Sequence, residues 1–162
     1  MLLFNHPIKT GFSFGFTSGI ITTLGLMTSL HSGTHSKLAV IGGIIGIAVA
    51  DAFSDALGIH ISEETEGKHS FGEIWQATLA TFLAKFLFAI IFIFPILILK
   101  SLSQAIIINI FLGLFLIFIF NFLLAREKEK DQGKIILEHL ITAILVVIIS
   151  HLIGDWINIY FK

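Results

Sequence analysis

The sequence has no cysteine, only two prolines and a single tyrosine, and its charges nearly cancel, with a formal net charge of −1. Without cysteine there is no disulfide framework and no thiolate metal site. A balance near zero leaves no basic footprint, which excludes nucleic acid as a partner class. No Pro-, Ser- or Gln-rich stretch separates one part of the chain from another, and no internal repeat is visible. Residues 1–162 therefore read as a single domain. The opening MLLFNHPIKTGF lacks a basic start followed by a short apolar core and a small-residue cleavage site, so a removable signal peptide is not expected.

What is present in abundance is apolar side chain. Hydrophobic residues make up 56% of the 162 positions, 17 of them phenylalanine. They arrive in blocks of about 20 residues, the length of helix that crosses about 30 Å of hydrocarbon. This pattern predicts an all-α integral membrane protein with five transmembrane helices, at about 10–30, 38–61, 75–99, 103–124 and 135–160. The joints are HSGTHSK at 31–37, SEETEGKHSFGE at 62–73, KSLSQ at 100–104 and REKEKDQGK at 126–134. Lys9, Lys68, Arg126, Lys128, Lys130 and Lys134 share one side, whereas the other carries Lys37, Lys100 and Lys162. Six against three places the N-terminus in the cytoplasm and the C-terminus outside or in a lumen. Trp156 and Tyr160 then form an aromatic anchor at the outer interface.

The second block carries the least expected residues. From Leu38 to Ile61 there are eleven Leu, Ile, Val or Phe residues, each contributing about −0.3 to −0.6 kcal/mol to insertion. Asp51 and Asp55 lie within it, and each costs roughly +2.5 to +3.5 kcal/mol near the bilayer centre. The two sums about cancel, so this helix needs neighbours that hide the carboxylates or a cation that neutralises them. An acid in a span is a functional hypothesis by default.

Two stripes of small residues run beside it. In the first span Gly11, Gly15, Ser18, Thr22, Gly25 and Ser29 recur at helical spacing. In the second, Gly42, Gly46, Ala50, Ser54 and Gly58 are four apart, and Asp51 and Asp55 follow one residue on, about 100° around the helix. Such stripes let helix backbones approach closely in lipid. Lys85, deep in the third span, can pair with an aspartate or snorkel to the interface. The fourth span, with Asn109 and Asn121 near its ends, reads as a lipid-facing wall. In the fifth, Glu138 and His139 lie near the inner edge, and His151 and Asp155 share one face at i, i+4.

Carboxylate and hydroxyl oxygens suit hard or borderline divalent cations. The candidate constellation is Asp51 and Asp55 with the hydroxyls of Ser18, Thr22 and Ser54. At the cytoplasmic mouth stand His60, Glu63, Glu64, Glu66, His69 and Glu73. If the second helix runs on to Gly67, His60 and Glu64 share a face. His31 and His35, four apart, lie in the joint on the opposite side.

Taken in order, these segments resemble the vacuolar iron transporter family. SGIITTLGL from Ser18 to Leu26 resembles its first-helix pattern D-G-[LIV]-V-T-T-x-x-L, and IAVADAFSDALG resembles its G-A-L-S-M-A-x-G-E-Y-x-S. ATLATFLAKFLFAIIFIFP resembles its A-A-L-A-S-F-L-A-F-x-x-G-A-x-x-P-x-x-P helix, and HLIGDWI resembles its final Y-x-x-G. The resemblance implies a five-helix subunit pairing into a homodimer, with divalent iron or manganese leaving the cytoplasm between the first two helices of both copies in exchange for protons. Against the family pattern, Ser18 stands in place of an aspartate, Asp51 of a methionine, Asp55 of a glutamate and Lys85 of an aromatic. The long cytoplasmic metal-binding segment is shortened here to the acidic joint.

The expectation is thus a non-enzymatic, proton-coupled transporter of Fe²⁺ or Mn²⁺. Metal ligands are Asp51, Asp55, Ser18 and Thr22, with Glu63 and Glu64 at the mouth. The cation is a substrate rather than a tightly bound cofactor, and the partners are the bilayer, a second copy and protons. Two rival readings follow from the same residues. One is a membrane enzyme whose metal at Asp51, Asp55, His139 or His151 activates water, though no H-E-x-x-H is present. The other is a non-transporting scaffold in which Lys85 neutralises an aspartate.

Overall fold

A computed structural model of the chain describes residues 6–128 and 132–161, apart from the side chains of 125–128 and 132. These residues form six helices: α1 (His6–Thr34), α2 (Lys37–Glu66), α3 (Phe71–Ile90), α4 (Ile93–Ile98), α5 (Leu102–Lys128) and α6 (Gln132–Tyr160). No strand occurs among them.

Four stretches are long and apolar enough to cross a bilayer: Lys37–Glu66, Phe71–Ile98, Leu102–Leu124 and Gly133–Tyr160. By length and composition they point to an integral membrane protein. Their outward faces agree, since Phe111, Phe115, Ile148, Ile149 and Leu152 are each about half exposed or more. A continuous apolar surface of that kind is a liability in water and ordinary in lipid. The first expected span differs. At 29 residues α1 is long enough, but its Ser, Thr, Gly and His residues keep it out of the apolar set.

The joints are tighter than the composition implied, because capping residues act inside the polar stretches. α1 stops at His35, whose φ of 52° is left-handed. The Ser36 hydroxyl then accepts from the Ala39 N–H at 3.2 Å and starts α2. α2 does continue to Glu66 and ends at Gly67 with φ 64°, the conformation glycine adopts without Cβ strain. The Glu73 carboxylate reaches back to the Ser70 N–H at 2.9 Å, fixing the start of α3. The centre of the charged joint expected at 126–134 lies outside the described residues, as do Lys130 and Lys162.

The third expected span is interrupted. Pro95 has no N–H and its ring crowds the carbonyl four residues back, and the helix breaks at residues 91–92. The Asn109 amide, fully buried, donates to the Phe92 carbonyl at 2.8 Å. This revises the reading of α5 as a wall facing lipid. Ala105, Asn109, Gly113, Ile117 and Asn121 form a buried stripe at i, i+4, and only the opposite face is exposed.

The chain divides into two compact units, Met1–Ile20 with Ile44–Ile91, and Ile21–Gly43 with Phe92–Lys162. In the first, α1 packs on α3 through missing side chains. A Cβ on Gly11 would stand 2.2 Å from the Ala77 carbonyl oxygen, one on Gly15 2.4 Å from that of Thr81, and one on Gly19 2.9 Å from that of Lys85. Phe16 and Phe88 pack edge to face beside this seam, 4.4 Å between centroids. In the second unit α6 lies close on α1 at Gly154, where a Cβ would stand 2.4 Å from the Ser29 carbonyl oxygen. The Ser32 hydroxyl donates to the His151 carbonyl nearby, at 2.9 Å.

Candidate functional site

The first unit brings Asp51 and Asp55 of α2, Ser18 of α1 and Lys85 of α3 to one point. The two acids lie on successive turns, so both carboxylates face the same side of α2. Gly19 lets α1 lie directly on the lysine stem, its absent Cβ being 3.2 Å from Lys85 Cγ. Lys85 is 1% exposed. Its ammonium forms ion pairs with Asp51 Oδ2 and Asp55 Oδ2 and donates to the Ser18 hydroxyl at 2.9 Å. Ser18 in turn donates to Asp55 Oδ2 at 2.7 Å. The aspartates keep some contact with solvent, Asp51 at 29% and Asp55 at 21% side-chain exposure.

Snorkelling of Lys85 is thereby excluded in this structure, and the lysine pairs with both acids rather than with one. The charge count is informative. Two carboxylates and one ammonium, all ionised, leave one negative charge uncompensated in an environment where that is costly. With all three ionised, the cluster is one positive charge short of balance.

Thr22, the next hydroxyl expected at the site, is one turn on from Ser18 along α1 and belongs to the second unit. Glu63 and Glu64 part company. Glu63 turns inward, 7% exposed, with its Oε2 2.6 Å from His69 Nδ1, and His6 stacks on that histidine with 5.9 Å between ring centres. Glu64 faces outward, exposed. His60 does not turn to Glu64 but bonds the Thr78 hydroxyl through Nδ1 at 2.9 Å. Adjacent residues on a helix point about 100° apart, which is why one glutamate of the pair is buried and the other is not. An open groove of about 960 Å³ runs along α2 and α3, lined by Phe53, Leu57, Trp75, Leu79 and Phe82.

In the second unit, His139 Nδ1 meets the buried Asn121 Oδ1 at 2.6 Å. His151 Nε2 lies 3.4 Å from Asp155 Oδ2, the i, i+4 couple expected from spacing. His31 and His35 are 5.7 Å apart between ring centres. Burial, with repulsion from His35 and His151, holds His31 below the usual imidazole range, and Asp155 opposes this. Among the described residues no group of three or more His, Asp or Glu side chains is spaced to hold a metal ion.

Sequence reasoning missed the inward Glu63–His69 pair and the hydrogen bond from Ser18 to Asp55. The only advance signal for the first was a histidine and an acid flanking a helix-ending glycine. Fold and site together define a helical membrane protein with a buried lysine–dicarboxylate cluster. No family model, no curated protein and no solved structure matches the chain.

Proposed function

We propose that the protein transports divalent metal cations of the iron or manganese type across a membrane, out of the cytoplasm and against protons. The observation that carries this reading is the convergence of Asp51 and Asp55 on a single cation-sized position, with a hydroxyl beside them, in a helix whose other residues are apolar. Carboxylate oxygens bind such ions, and protonating them releases a ligand, so ion and proton are linked through the same groups. Glu63 and His69 stand at the cytoplasmic mouth. The resemblance to vacuolar iron transporters is consistent with this role and with α1 as a fifth crossing helix, the N-terminus inside. The ion is cargo, and no catalytic role is assigned.

The working unit in this proposal is a homodimer. Gly46, Ala50, Ser54 and Gly58 are all exposed, and a Cβ on Gly46 or Gly58 would meet nothing within 4 Å. The glycines of α1 are consumed inside the chain, whereas this stripe of α2 is left for a neighbour. Gly46→Leu is expected to convert dimer to monomer in detergent, read by light scattering, without loss of helix content. A monomeric wild type refutes the dimer.

The decisive experiment is uptake of Mn²⁺ or Fe²⁺ into proteoliposomes by wild type, Asp51→Asn and Asp55→Asn. Both substitutions should abolish flux, and equal uptake by all three ends the proposal. One observation favours a second reading, a non-transporting scaffold: the ammonium of Lys85 already occupies the position between the acids. That reading expects no flux from any variant.

A further inference from the structure

An ammonium group has three N–H donors and no acceptor. At Lys85 three oxygens surround it: Asp51 Oδ2, Asp55 Oδ2 and Ser18 Oγ. The Ser18 hydrogen is directed to Asp55, so a lone pair of its oxygen faces the lysine. Lys85 is 1% exposed, and its nitrogen is therefore served by protein oxygens rather than by water. These are oxygen donors of the kind a hard cation takes, already engaged by a cation on a tether.

We infer that Lys85 is the resident occupant of a cation cradle formed by Asp51, Asp55 and Ser18, and that it sets specificity by competing with the transported ion for the same three oxygens. The inference rests on the transport reading above and adds a condition to it: a metal ion enters only as the ammonium leaves. Two cations cannot share the position, because their repulsion at contact distance in a dry environment is far larger than in water. Charge favours a divalent guest. With the ammonium seated the ionised cradle carries one net negative charge, and with a divalent ion in its place the cradle is neutral. A monovalent ion merely replaces like with like. The lysine moves on a flexible four-carbon stem.

The competition is read on the whole chain in detergent, by thermal unfolding over a MnCl₂ series for wild type and Lys85→Met. The variant should reach half its maximal stabilisation at a Mn²⁺ concentration lower by about 5–150-fold, the usual range for coupled occupancy. On the wild type alone, Mn²⁺ should speed reductive methylation of Lys85, measured by mass spectrometry, as the displaced amine becomes accessible. The labelling experiment decides by itself if Lys85→Met does not fold. Half-effects at equal Mn²⁺ in both proteins, or labelling of Lys85 indifferent to Mn²⁺, overturn the inference while leaving a metal-binding transporter intact. Absence of any stabilisation by Mn²⁺ in either protein overturns it together with the transport reading.

Discussion

Replacing Lys85 by methionine keeps most of the buried stem and removes only the charge. The structure assigns that charge two ion pairs and one hydrogen bond. Its loss leaves two carboxylates on successive turns, about 6 Å apart along the axis, with no cation between them. Removing one member of a buried pair costs about 3–5 kcal/mol. The aspartates are 29% and 21% exposed, and that solvation puts the expected cost at the lower end, about 3 kcal/mol. Asp55→Asn provides the contrast. It leaves Lys85 facing Asp51, one charge for one, and loses about 1 kcal/mol of hydrogen bonding. For a chain of this size 1 kcal/mol moves the melting temperature by about 2–4 °C. Lys85→Met should therefore melt about 6–12 °C below wild type, and Asp55→Asn about 2–4 °C below. The neutral triple variant Lys85→Met, Asp51→Asn, Asp55→Asn should recover most of the loss, because a charge cluster replaced as a whole leaves nothing unpaired. Tryptophan fluorescence during heating in one detergent reads all three. Lys85→Met no worse than Asp55→Asn, or a triple variant as unstable as Lys85→Met, would refute the charge argument and assign the effect to packing.

Three further outcomes follow from other parts of the fold. Gly154→Ala places a Cβ 2.4 Å from the Ser29 carbonyl oxygen and should cost about 1–3 kcal/mol in thermal unfolding, whereas Gly72→Ala, with open space around it, should change stability by less than about 0.5 kcal/mol. Asn109→Leu strips the Phe92 carbonyl of its partner at the α3–α4 break and should cost about 1–3 kcal/mol by the same assay. His31 resists protonation in the folded chain relative to its ordinary value of 6.5, through burial first and then His35 and His151, against Asp155. Below pH 6.5 the unfolded chain binds the proton more readily than the folded one, so His31 makes stability fall as the medium is acidified through that window and leaves it unchanged above. His31→Gln should flatten that part of a melting-temperature profile between pH 7 and 5, and an unaltered slope would sink the assignment.

The helices themselves were legible. A run such as Leu38–Ile61 is helical because lipid offers the backbone no other partner for its N–H and C=O groups, and Gly67 marks a helix end by local rules alone. Asp51 and Asp55 stood out for the same local reason, as charges whose insertion cost cancels the apolar gain. The faces were not legible where the sequence is apolar all round. In α5 nothing in the order of Ile, Leu and Phe distinguishes the buried stripe through Asn109 from the exposed face through Phe111. Both small-residue stripes were visible, but not that the glycines of α1 are taken up within the chain while Gly46 and Gly58 of α2 remain open.

What the amino-acid sequence determined alone is therefore an all-helical chain with four runs of membrane length, and the presence of two acids that have to be neutralised. The tertiary structure decided what neutralises them. Lys85 is 67 residues from Ser18 and 30 from Asp55 along the chain, and the choice between reaching the interface and joining the aspartates depends on how closely Gly19 lets α1 lie against α3. Helix formation is settled by bonds spanning four residues, whereas the partner of a buried charge is settled by which distant surfaces touch.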